Sequence, residues 1–152
     1  MNNKDYVLDI LRRAAKREAQ VLQDTAADMS GTELYSEKAF IPSFAEAVKF
    51  KNMLDRPIGF VCQSTAGRVV RLLQNYDSAI YTAEPEELPS LWGFVWSTDP
   101  SKALPFIGLS TSPYNVGECC TENGVIYRSK IDNNVYSPSA YSTGWEEVVI
   151  DD

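Results

Sequence analysis

The hydrophobic positions of this chain fall into two regimes. From residue 3 to residue 29 there is neither Gly nor Pro, and Leu8, Leu11, Ala15, Leu22 and Met29 lie on one stripe at helical spacing. With Leu, Ala, Arg, Lys, Glu and Gln dominating, this predicts a single long helix. Asn3 is its expected N-cap, Asp5 suits the first turn, and Gly31 stands where a left-handed residue would end it. Glu18 and Thr25 occupy the same stripe, so a long coiled coil is not expected. Two readings stay open: a helix packed on its own chain, or a short helix that self-associates or docks on a larger assembly.

After Ser30-Gly31 the pattern changes to short β-branched and aromatic runs. Eight prolines, from Pro42 to Pro138, exclude long helices there. Strands are expected at 59–62, 68–73, 118–121, 125–129 and 146–150, and Asn123-Gly124 is the strongest hairpin signal. The two β-like halves also resemble each other. Gly59-Phe60-Val61-Cys62 aligns with Gly117-Glu118-Cys119-Cys120, and Gly67-Arg68-Val69-Val70-Arg71 with Gly124-Val125-Ile126-Tyr127-Arg128, with one extra residue in the first copy. Pro85 and Trp92 stand seven apart, as do Pro138 and Trp145. The expected fold class is therefore α+β: an N-terminal helix followed by two small tandem antiparallel β-sheet modules. The boundaries are a helical anchoring or oligomerisation segment at 1–38, a first repeat at 39–97 and a second at 98–152.

Composition narrows the chemistry. With 14 Lys+Arg against 21 Asp+Glu in 152 residues, the net charge is −7, so phosphate neutralisation is disfavoured and no nucleic-acid partner is expected. The chain has no His, which removes Ser-His-Asp and Cys-His nucleophiles and most catalytic zinc sites. Paired carboxylates such as Glu146-Glu147 sit adjacent on an expected strand, where neighbours point to opposite faces, so no enzyme activity, cofactor or metal is expected. Charged residues interrupt every apolar run near the start, so neither a signal peptide nor membrane insertion is expected. Cys62, Cys119 and Cys120 are expected to be reduced and buried, with Cys62 and Cys120 aligned in the repeat.

The second copy, through Tyr114-Asn115-Val116-Gly117, Asn123-Gly124, Tyr127, Tyr136-Ser137-Pro138 and Trp145, resembles the small chitin-binding type of carbohydrate-binding module, module families five and twelve. The first copy departs from that pattern with Arg56 at the opening aromatic and Ala83 two before the proline, although Tyr81 stands close by. A helix leading into two such copies is similar to small proteins encoded among the tail genes of phages and prophages of Gram-positive bacteria. The resemblance implies a virion or phage-tail-like particle, assembled in the host cytoplasm. Its implied partners are cell-surface polysaccharide or peptidoglycan and other phage tail proteins. A homo-oligomer, with a trimer favoured, is expected.

Sugar rings pack their C–H faces on flat aromatic side chains, with polar groups meeting the hydroxyls at the rim. Tyr136, Tyr141 and Tyr114 are the candidate stacking residues. Asp132, Asn133 and Asn134 are candidate hydroxyl partners, or else they shape their own turn through local backbone bonds. Trp92, Trp145 and Tyr127 are expected in the core, and Trp96 either makes an exposed contact or packs between the units. Two functions stay open: carbohydrate binding by the C-terminal module, or a structural tail fibre or baseplate component whose modules make protein contacts.

Overall fold

A computed structural model describes residues 2–151. Helix α1 spans Asn3–Thr25, with Asn2 rather than Asn3 as the cap: the Asn2 side chain accepts from the Asp5 N–H at 2.8 Å. The helix also ends earlier than its sequence pattern suggests, tightening into a 3₁₀ turn at Ala26–Asp28. Ser30 then caps a second helix, α2 (Gly31–Ser36), through a reciprocal bond pattern with Glu33. Gly31 therefore opens a helix instead of closing one. It is required by crowding, since a Cβ there would lie 2.2 Å from the Trp96 carbonyl oxygen. A third helix, α3 (Phe44–Phe50), is capped by Ser43.

The first sheet is antiparallel, in the order β1 (Val61–Gln63), β2 (Val69–Leu72), β3 (Trp92–Phe94). The second holds β4 (Leu104–Pro105), β5 (Cys119–Glu122), β6 (Val125–Ser129) and β7 (Trp145–Val148). The fold is α+β, an N-terminal helix followed by two small sheets. The second sheet is mixed, because β4 pairs parallel to β5. Two residues including a proline carry no strand pattern of their own, and an edge position is where proline is tolerated. At the β5–β6 turn Asn123 and Gly124 take φ of 51° and 80°, the left-handed pair that a two-residue hairpin requires.

The repeat is visible in the hydrogen bonds. The Gly59 N–H donates to the Leu72 carbonyl at 2.8 Å, and Gly117 donates to Ser129 at 2.9 Å. Leu72 and Ser129 in turn pair with Trp92 and Trp145, the residues that open the closing strands. Gly59 and Gly117 share a φ of 91° and 92°. Both tryptophans are buried, as are Cys62 and Cys120, and all three cysteines are free thiols. Tyr127 is half-buried and packs against the core.

Burial on both faces of the first sheet explains its unbroken apolar runs. Val61 and Val69 pack with Leu22, Ala26, Leu34, Tyr35 and Ile41 from the helical segment. Cys62 and Val70 face a larger core that contains Phe44, Trp92, Trp96, Tyr114, Cys120 and Trp145, so one core runs through both repeats. Gln23 of α1 completes the free edge of β1 as a strand would. Its amide donates to the Val61 carbonyl at 2.7 Å and accepts from the Val61 N–H at 3.0 Å. Arg71 caps the end of the helical run, donating to the Ala26 and Met29 carbonyls at 2.5 and 2.7 Å. No helix among the described residues is long and apolar enough to cross a membrane.

Candidate functional site

Of the three candidate stacking residues, two stay at the surface. Tyr136 is 58% exposed and Tyr141 42% exposed, with ring centroids 5.9 Å apart and planes 27° from parallel. Together they form a nearly continuous aromatic shelf on the loop between β6 and β7. Tyr114 does not join it. At 1% exposure it stacks on Trp96 at 4.3 Å and on Phe106 at 5.5 Å, and meets the edge of Trp145 at 5.4 Å. Burial pushes its phenol well above the ordinary range. A ring in the middle of an aromatic ladder has no face left for a ligand, so Tyr114 is a core residue. Trp96, buried between Phe94 and Tyr114, likewise packs between the two repeats.

Of the three polar candidates, one is corrected in the same direction. Asn134 is 0% exposed and acts as the keystone of the loop. Its Nδ2 donates to Ser129 Oγ at 3.1 Å and to the Gly144 carbonyl at 3.3 Å, and its Oδ1 accepts from the Tyr136 N–H at 3.2 Å. Its backbone exchanges two bonds with Tyr114. With its side-chain donor and acceptor both engaged, Asn134 positions Tyr136 and does not meet a hydroxyl. Asp132 accepts from the Val116 N–H at 3.0 Å, and Asn133, at φ 56°, donates its own N–H to Asn115 at 3.1 Å. Both are exposed; the Asp132 carboxylate is tied to the turn, whereas the Asn133 bond uses only its backbone N–H.

Motif residues Trp145 and Ser137, joined by Glu122 and Gly144, which the motif does not include, hold the shelf rigid. The Trp145 indole N–H donates to the Tyr136 carbonyl at 2.8 Å, and Glu122 accepts from the Ser139 N–H at 2.9 Å. The Ala140 and Tyr141 N–H groups both return to the Ser137 carbonyl. Gly144 lies directly against the Tyr141 ring, where a Cβ would come within 2.5 Å of it. Each ring is thus seated on a backbone fixed from two sides, which lowers the ordering cost of a contact made there.

The first copy contains the same loop in another state. The Ile80 and Tyr81 N–H groups return to the Asp77 carbonyl as those of Ala140 and Tyr141 return to Ser137. This places Tyr76 and Tyr81 opposite Tyr136 and Tyr141, and it aligns Pro138 with Ser78 instead of Pro85. The difference lies in the first tyrosine. Tyr76 turns inward and accepts the Trp92 indole N–H on its hydroxyl at 3.0 Å, whereas Trp145 bonds to a backbone carbonyl and leaves Tyr136 outside. Tyr81 is exposed and, among the described residues, has no partner ring. The shared Tyr-x-x-x-x-Tyr spacing is in the sequence and is the signal that finds this register.

Among the described residues no three His, Cys, Asp or Glu side chains gather as a metal cluster. Burial drives the Cys120 thiol up to about 12 and raises Cys62 and Cys119 as well, which removes them as nucleophiles at neutral pH. Comparison with protein-family models, with curated proteins and with solved structures finds no match.

Proposed function

We propose that this chain is a non-catalytic carbohydrate-binding protein of a virion or phage-tail-like particle, whose C-terminal repeat meets host cell-envelope polysaccharide or peptidoglycan on the Tyr136–Tyr141 shelf. The observation that carries the reading is the shelf itself: two exposed, nearly parallel rings whose backbone is fixed by Asn134, Trp145 and Glu122. Such a surface suits the C–H face of a sugar. The particle and the other tail proteins as partners rest on the module-plus-helix architecture.

The test is retention on insoluble chitin, peptidoglycan and host wall polysaccharide. Wild-type protein is expected to sediment with at least one of them, and the Tyr136→Ala, Tyr141→Ala double variant to stay in solution. Equal retention of both, or retention of neither, overturns the proposal. A second reading, a structural tail component making protein contacts, is favoured by one observation: the first copy keeps the fold while Tyr76 is turned inward, so the fold persists without a shelf.

A further inference from the structure

The far end of α1 has no partner from the body among the described residues. Leu22 and Ala26 are buried, but every residue from Asn2 to Glu18 is exposed except Asp9, which lies beside Arg13. At 1.5 Å per residue, Asn3 to Ala14 projects a stem of about 18 Å. Tyr6, Val7, Leu8, Ile10 and Leu11 are all exposed on it, and Val21 continues the apolar surface below. Val7, Ala14 and Val21 are seven apart and lie roughly 100° round the helix from Leu22 and Ala26, where α1 meets the body. This face borders the stripe read in the sequence and shares Leu11 with it; the lower half of that stripe is consumed by the chain's own core.

We infer that this face, formed by Val7, Ile10, Leu11, Ala14 and Val21, is where further copies of the chain dock, with their helices parallel and in register. Charge decides the occupant and its direction. The large apolar side chains crowd the free end, while Arg17 and Glu18 stand side by side nearer the body. In a parallel arrangement apolar ends meet apolar ends, and Arg17 of one copy lies next to Glu18 of the next. An antiparallel arrangement sets the apolar end of each helix against the other's Arg17 and Glu18. A lipid surface suits the face less well. Asp5, Asp9 and Glu18 sit among the cations of the stem, and the remainder of the chain is strongly acidic, so an anionic membrane would repel it. The inference is independent of sugar binding, although parallel copies would place every shelf at the same end of an assembly and multiply weak contacts.

The test is sedimentation of the full chain beside a Val7→Asp, Leu11→Asp variant. Both substituted residues are exposed, so circular dichroism and thermal unfolding of the body are expected to match wild type. Wild type is expected to run as an oligomer and the variant as a monomer. A monomeric wild type, or a variant that keeps the wild-type mass, overturns the inference. Direction is read with Asn3→Cys, the native cysteines being buried: oxidation is expected to link copies through position 3, and failure to link overturns the parallel arrangement. Co-sedimentation of a monomeric chain with phosphatidylglycerol vesicles, lost in the Val7→Asp, Leu11→Asp variant, would assign the face to lipid and overturn it as well.

Discussion

Three tyrosines of the second repeat belong to the same residue type and have two different fates, decided by what lies around each. Tyr114 is locked between Trp96, Phe106 and Trp145, so Tyr114→Ala is expected to cost ~3–5 kcal/mol, read as a lowered denaturation midpoint. Tyr136→Ala removes an exposed ring and is expected to change stability by no more than about 0.5 kcal/mol. Gly144 sets the seat of Tyr141, and Gly144→Ala forces that ring to move. A loss of about 1–3 kcal/mol is expected, together with weakened binding, from a residue that touches no ligand. The buried thiols carry a pH signature. Their folded-state pKa values lie above the ordinary ~8.5, so the folded state keeps protons that the unfolded chain releases. Their contribution to stability is complete below pH ~8.5 and declines as pH rises beyond it. In a disulfide-exchange assay at pH 8 the native protein is expected to label slowly, with all three thiols reacting once it is denatured.

At the scale of elements, the hairpin, the long helix and the closing tryptophans were legible because each rests on local chemistry: a left-handed Asn-Gly pair, an uninterrupted run of helix formers, and a repeated strand ending. What was not legible depends on distant partners. α1 stops at Thr25 although helix formers continue, because Arg71 gathers the Ala26 and Met29 carbonyls and Ser30 begins another cap. β4 exists only because the Cys119-Cys120 strand lies beside it. The site was half legible: aromatic spacing marked Tyr136 and Tyr141, but the same chemistry marked Tyr114, whose burial depends on Trp96 from the other repeat. One tertiary contact of this kind can be tested directly. Gln23→Ala leaves the Val61 N–H and carbonyl without partners at the edge of β1, and a loss of about 1–3 kcal/mol is expected by chemical denaturation.

Across the whole molecule, the two repeats differ in use more than in construction. One core joins them through Trp96 and Tyr114, and buried Arg68 adds a tie, donating to Glu86 at 3.2 Å and to the Pro105 carbonyl at 2.7 Å. Within that frame the first repeat spends its loop tyrosine on the interior, while the second presents a pair to solvent. The central claim is that this pair is a sugar shelf, and the most direct measurement is the affinity of the full chain for soluble oligosaccharides from chitin, peptidoglycan and host wall polysaccharide, taken beside the Tyr136→Ala, Tyr141→Ala variant. With about 1 kcal/mol from each ring, the variant is expected to bind at least tenfold more weakly at unchanged stability. Affinity that is the same with and without the two rings would contradict the account.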